Sequence, residues 1–309
     1  NNELSPYSTF GSSFLTSNSG GVGISYIKEN KNNRFYFGIS EPVKASDGES
    51  DREYGKSTDI AFGIDFLKIK NTEISTVFGV SSEEDKLLGM EGSGAYNLDG
   101  SKSVTNYLGT NISSDFKDVN IYGQFILGDT NLSKPSDSII TGASNVTSTS
   151  FVSGISKYNV INDDKLTFQI TQPPKVEDGS LLLDIVSDYD NEGNLTHENV
   201  KVDLKPTGRQ LDFSMSYDFN INDIASLKYK GIYIQDPGHN KSSKSITSNF
   251  IGFKYDNHKF GAGLSNEEKN NKPRFSYNFL LNKIDTNESF NIDLELNPNE
   301  DNNMDAKLN

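Results

Sequence analysis

Apolar and polar positions alternate with a period of two along most of this chain. Val22, Ile24 and Tyr26 alternate with Gly21, Gly23 and Ser25, and Phe35, Phe37 and Ile39 alternate with Arg34, Tyr36 and Gly38. The spacing returns at Ile60/Phe62/Ile64/Phe66, Ile74/Thr76/Phe78/Val80, Leu166/Phe168/Ile170 and Leu211/Phe213/Met215/Tyr217/Phe219. It returns again at Phe275/Tyr277/Phe279/Leu281 and Phe290/Ile292/Leu294/Leu296. Successive side chains of a strand point to opposite faces, so each run has one apolar face and one small or polar face. Turn formers separate the runs, among them Lys31-Asn32-Asn33, Asp47-Gly48, Asp99-Gly100, Asp163-Asp164 and Asp178-Gly179. Only short stretches such as Asp85 to Met90 read as helical. The pattern predicts an all-β chain, an antiparallel meander closed as a β-barrel of about 12–16 strands.

The chain also resembles itself. Gly23 to Gly48 aligns without gaps onto Gly154 to Gly179, with 9 identities in 26 positions. They include Phe37/Phe168, Ile39/Ile170 and a shared Pro-x-Lys-x-x-Asp-Gly at Pro42 to Gly48 and Pro173 to Gly179. Two related half-units are therefore expected, at 20–131 and 151–266, inside one barrel-like domain spanning 20–296. Extra strands fall at 274–296, a lead-in at 1–19 and a polar tail at 297–309. Pro42 and Pro173 have no N–H for a ladder, so each is expected to close its strand at an edge, bulge or rim.

Composition narrows the chemistry. The 309 residues are 33% hydrophobic and contain no Cys, which removes disulfides, thiolate metal sites and a catalytic cysteine. A formal charge of −14 argues against nucleic acid as a partner, because phosphate neutralisation needs an excess of Lys and Arg. No run of about 18 apolar residues is present, so no transmembrane helix is expected. Asn1 to Gly11 lacks a basic stretch followed by an apolar run, so no signal peptide is expected in these residues.

No catalytic residue is assigned. There is no Gly-x-Ser-x-Gly elbow, and Gly92-Ser93-Gly94 reads as a glycine-rich connection. The three histidines, His197, His239 and His258, show no ligand spacing and are all expected in turns. His239 follows Asp236-Pro237-Gly238 and is read either as a capping imidazole or as part of a polar rim cluster. Arg209 is a candidate to point inward and pair with carboxylates through its planar fork. Asp188, Asp190 and Glu192 precede Gly193 as the opening of a calcium loop would, although position twelve is Asn199 and the flanks are strands. The alternative is an acidic hairpin turn between strands at Leu181–Val186 and Val200–Leu204.

Four segments resemble a known family. Gly79-Val80-Ser81-Ser82-Glu83-Glu84-Asp85-Lys86-Leu87-Leu88-Gly89-Met90-Glu91-Gly92-Ser93-Gly94-Ala95-Tyr96 is similar to a segment found downstream of the protease domain in bacterial subtilisin-like serine peptidases of autotransporter type. Thr171-Gln172-Pro173-Pro174-Lys175-Val176-Glu177-Asp178-Gly179, Leu204-Lys205-Pro206-Thr207-Gly208-Arg209-Gln210-Leu211-Asp212 and Gln235-Asp236-Pro237-Gly238-His239 fit in the same order. The likeness covers roughly Gly79 to His239, about half the chain, and includes no part of the family's protease domain. It implies a non-enzymatic outer-membrane barrel in a Gram-negative bacterium, lipid as the surrounding phase and a covalently linked passenger. The competing expectation is a soluble extracellular β-domain that binds a partner or itself, since water on the polar face produces the same alternation.

Overall fold

The structure is a computed structural model that describes residues 21–29, 34–42, 57–161, 163–222, 224–255, 258–267, 270–283, 286–296 and 304–308. The expected lead-in at 1–19 and the turn Asp47-Gly48 lie outside them. Twenty strands form among the described residues. They are β1 (Gly21–Glu29), β2 (Arg34–Pro42), β3 (Ser57–Ile69), β4 (Thr72–Glu84), β5 (Lys86–Leu87), β6 (Met90–Glu91) and β7 (Lys102–Phe116). Next come β8 (Val119–Leu132), β9 (Ile140–Ala143), β10 (Val146–Tyr158), β11 (Lys165–Asp178), β12 (Ser180–Tyr189), β13 (Leu195–Asp203) and β14 (Leu211–Asn222). The last are β15 (Ala225–Gln235), β16 (Ile246–Tyr255), β17 (His258–Glu267), β18 (Asn270–Lys283), β19 (Thr286–Leu296) and β20 (Met304–Leu308).

Fifteen strands pair in the order β1-β2-β3-β4-β7-β8-β10-β11-β14-β15-β16-β17-β18-β19-β20, and β13-β12-β9 form a separate three-stranded sheet. The strand pairs β3–β4, β11–β14 and β14–β15 are antiparallel, so the all-β meander expected from the sequence is what forms. Tight reversals make the meander possible. Ile69 faces Thr72 across Lys70-Asn71, and Lys70 takes a left-handed φ of 52°. Lys117 does the same at 54° between β7 and β8. Neither turn carries the Asn-Gly or Asp-Gly signature that makes such reversals visible in sequence.

Four expectations are corrected. Asp85 to Met90 is not helical: β5 and β6 pair across Leu88 and Gly89, whose φ values of 51° and 78° reverse the chain. The 297–309 segment is not simply a tail, because Met304, Ala306 and Leu308 alternate with Asp305 and Lys307 and form β20 against β19. His197 and His258 lie in strands rather than turns, within β13 and at the start of β17. Strands are also longer than their apolar runs suggested, reaching 13 residues in β3 and 15 in β7. Small and polar residues extend them because neighbouring strands satisfy the backbone whatever the side chain.

Pro42 ends β2 as expected. Pro173 lies within β11, but the β11–β14 ladder stops at Thr171↔Asp212, two positions before the ring that cannot donate.

The chain groups into two compact units. Unit 1 takes 1–113, 123–151 and 173–206; unit 2 takes 114–122, 152–172 and 207–309. Two apolar clusters lie in unit 1: Ala61, Val77, Tyr107 and Ile126 joined by Leu88, and Leu87, Leu98, Ile140 and Leu183 joined by flanking residues of β12 and β13.

Candidate functional site

Paired strands sort side chains by face, and in unit 1 the two faces are opposite in character to those of a water-soluble sheet. Phe37 faces Phe62, which faces Phe78; Ile39 faces Ile60, which faces Val80. Cross-strand partners share a face, so these residues make one apolar row. The Phe62 and Phe78 rings lie 5.0 Å apart. This row is the exposed one, with Phe78 at 51% and Phe125 of β8 at 53% exposure. The other face of the same strands carries Asp59, Ser81 and Glu83, all buried. Ser103, Thr105, Thr130 and Ser148 of β7, β8 and β10 are buried as well. The Thr105 and Thr130 hydroxyls bond each other at 2.8 Å.

Unit 2 repeats the sorting. Ile170 faces Phe213, which faces Tyr233, and the Phe213 and Tyr233 rings are 6.2 Å apart. On the opposite face Gln169 meets Ser214, Thr167 meets Ser216 and Lys165 meets Asp218. Ser156 is buried there against Thr167, oxygen to oxygen at 2.9 Å. Tyr122 lies so close over Gly154 that a Cβ would stand 2.4 Å from its ring, which explains a glycine at that place in the β10 strand. The tyrosine hydroxyl then donates to Gln169 at 2.8 Å.

The segments that carry the family resemblance become two local devices. In unit 1, Gly79 to Tyr96 runs through the end of β4 into the β5–β6 reversal. Glu83 accepts the Gly89 N–H at 3.0 Å and the Ser103 hydroxyl at 3.4 Å. That anchor turns Leu88 onto the Val77, Tyr107 and Ile126 cluster and puts Leu87 into the second cluster. An apolar cap thus sits at the end of the polar row.

In unit 2 the parts of the remaining segments from Thr207 to Asp212 and Gln235 to His239 form a clasp of two loops. Gly208 donates its N–H to the His239 carbonyl at 2.7 Å, and Gln210 donates its N–H to His239 Nδ1 at 2.9 Å. Gln210 returns the contact, accepting the Gly238 N–H at 2.7 Å and donating to Asp212 at 2.8 Å. A Cβ at position 208 would stand 2.7 Å from the Lys241 nitrogen, so only glycine lets the loops approach this closely. Arg209 reaches the side-chain carbonyl of Gln172 rather than a carboxylate in this contact. His239 is therefore a buried imidazole that caps the Gln210 N–H, as the capping reading of the sequence expected. Gln172 and Gln210 were not singled out in the sequence; their position inside the resembling segments was the only signal.

The calcium candidates lie where the acidic hairpin turn was expected, between β12 and β13. Asp190 accepts the Glu192 and Asn194 N–H groups at 2.9 Å each and the Asn194 amide at 2.8 Å. The Asn194 side chain and backbone hold the Asp190 carboxyl below the usual carboxylate range. Asp188 accepts from the Tyr189 N–H at 2.8 Å. Among the described residues no three acidic or histidine side chains converge as a metal site would require. Asp190 closes a turn by bonding its own backbone two and four residues on.

No family model matches the sequence, and no curated protein matches it significantly. Among solved structures, the TodX deltaS2S3 mutant monoaromatic hydrocarbon channel is similar at a TM-score of 0.40 and 11% identity, covering 89% of this chain and 82% of that one. No helix among the described residues is long and apolar enough to cross a membrane.

Proposed function

We propose that this chain is a non-enzymatic outer-membrane β-barrel from a Gram-negative bacterium, acting as the anchor or translocator domain of a subtilisin-like autotransporter. The observation that carries the reading is the inverted polarity of the large sheet: Phe37, Ile60, Phe78, Leu108 and Phe125 are exposed while Asp59, Ser81, Glu83, Ser103, Thr105, Thr130 and Ser148 are buried. In water this arrangement is unfavourable, because a fully buried Phe or Leu side chain gains about 1.5–3 kcal/mol over an exposed one. In lipid the same row is solvated by acyl chains and the strand backbones are satisfied by their neighbours. Strands β3, β4, β7 and β8 hold 13, 13, 15 and 14 residues, against the roughly 9–11 that a tilted spanning strand needs.

An anchor fits unit 1 better than an open pore does. Ser103, Thr130 and Ser148 are fully buried, and the Leu88 turn is packed onto the cluster beside them. The autotransporter assignment rests on the four resembling segments, two of whose devices fix the ends of strands that would carry the barrel.

The test is heat-modifiable migration on a gel after refolding into detergent or lipid. A faster-running folded form that disappears on boiling, with partition into the detergent phase, is expected. Recovery as a monomeric, folded β protein in aqueous buffer without detergent would overturn the membrane reading.

A further inference from the structure

The three-stranded sheet of unit 1 has an open side. Its order is β13-β12-β9, so β13 is an edge strand among the described residues. β9 pairs with β12 only at Leu181, Leu182 and Leu183. Beyond Asp184, whose N–H still donates to the Ile139 carbonyl at 2.8 Å, the hairpin is a two-stranded ribbon with Ile185↔Glu198 and Val186↔His197 as its rungs. Such a ribbon is marginal in water and gains from a third strand.

Natural edges are usually blunted by proline, by several lysines or by a covering segment. The nine residues of β13 contain no proline and one lysine, Lys201, and all but Val200 are exposed. The bulge between Val186 and Asp188 brings Tyr189 and Leu195 together as a pair on the Val186 face. These three apolar side chains are 52%, 75% and 59% exposed. The base is firm by contrast, since Leu183 is buried and Leu181, Ile185 and Val200 pack around it. The result is a backbone edge without a strand partner among the described residues, with apolar side chains beside it and mounted on a fixed base.

The charge of the ribbon selects the partner. From Asp184 to Asp203 there are six acidic residues, at positions 184, 188, 190, 192, 198 and 203, against Lys201 alone. A second copy of the same edge would bring Glu198 and its acidic neighbours against their own kind, and like charges facing each other across a strand pair are destabilising. An extended basic segment meets no such penalty. We propose that β13 is a docking edge that takes up an extended peptide alternating basic and apolar residues, which adds as a further strand. Main-chain hydrogen bonds to β13 supply the binding, Leu195 receives the apolar side chains on the Val186 face, and Glu198 on the opposite face selects for Lys or Arg.

The test uses the full chain, folded in detergent micelles, and a fluorescent ten-residue peptide of alternating Lys and Val, read by anisotropy. Binding is expected, weakening about tenfold or more for an alternating Glu and Val peptide, since opposite charge across the pair is replaced by like charge. A Lys and Val peptide N-methylated at every second residue keeps its charge but cannot complete the ladder, and it is expected to lose binding. The double variant Asp188→Lys/Glu198→Lys, whose side chains are exposed, is expected to reverse the preference between the two peptides. Hydrogen exchange should show β13 amides protected only when the peptide is present. The proposal is overturned if the N-methylated peptide binds equally, which would mean charge adhesion alone. It is overturned if β13 is already protected in the free chain, or if the edge is occupied by concentration-dependent self-association. Each readout stands whether or not the large sheet proves to be in a membrane, because the hairpin is a separate sheet.

Discussion

The large sheet and the three-stranded sheet of unit 1 are built from the same alternation and obey opposite rules. In β3 and β4 Ile60, Phe78 and Val80 are exposed, while Asp59, Ser81 and Glu83 on the other face are buried. In β9 and β12 it is Ile140 and Leu183 that are buried, while the turn between β12 and β13 is acidic and exposed. Alternation by itself says that a strand has two unlike faces. The surroundings decide which face is hidden. One short sheet is folded as water requires, and the long one as an apolar phase around it would require.

The contrast can be broken at specific residues. Leu183→Ala should have the largest effect, about 2–5 kcal/mol, because it empties a packed apolar site. The loss should appear as faster hydrogen exchange in β9 and β12, with β14 and β15 unchanged. If the exchange of β14 and β15 rose equally, the small sheet would not be an independent apolar unit. Phe125→Arg comes next. On a lipid-facing row it should cost about 2–4 kcal/mol near the bilayer midplane. The measure is the heat-modifiable folded fraction in vesicles across a urea series. An unchanged or improved yield would mean that the exposed row faces water, and the contrast between the sheets would disappear.

The smallest expected effect probes the buried polar face. Thr130→Val keeps the shape but leaves the Thr105 hydroxyl without its 2.8 Å partner, at a cost of about 1–3 kcal/mol. Thr105→Val/Thr130→Val should recover much of that loss, because both buried hydroxyls are then gone. Thermal unfolding followed by circular dichroism checks the pair. A double variant that loses as much as the sum of the single ones would show that the inner face depends on polarity beyond this one bond.

The all-β class, the antiparallel order and the sorting of Phe213 from Ser214 were legible in the sequence because strand geometry imposes a period of two that no tertiary contact can alter. The internal resemblance falls on comparable strands among the described residues. Gly23–Glu29 and Arg34–Pro42 lie in the paired strands β1 and β2, Gly154 to Asp178 runs through the paired strands β10 and β11, and Gly154 is explained by the tyrosine that lies on it. The strands that follow differ, since Ile39 faces Ile60 but Ile170 faces Phe213, which lies two positions beyond Leu211 when Ile60/Phe62/Ile64/Phe66 is set against Leu211/Phe213/Met215/Tyr217. A shift of two keeps the same face outward, so the pattern survives a change of register.

The rest was decided by contacts between distant residues. The Leu88 reversal reads as helix locally, and only the Glu83 carboxylate and the waiting Val77–Tyr107–Ile126 cluster turn it into a cap. Gln172, Gln210 and His239 are ordinary polar residues until two loops about 30 positions apart meet through Gly208. The sequence by itself determined that this chain is made of two-faced strands. Which face would be hidden, and which strand would be left with an open edge, was determined by packing, because burial is a property of neighbours and not of a residue.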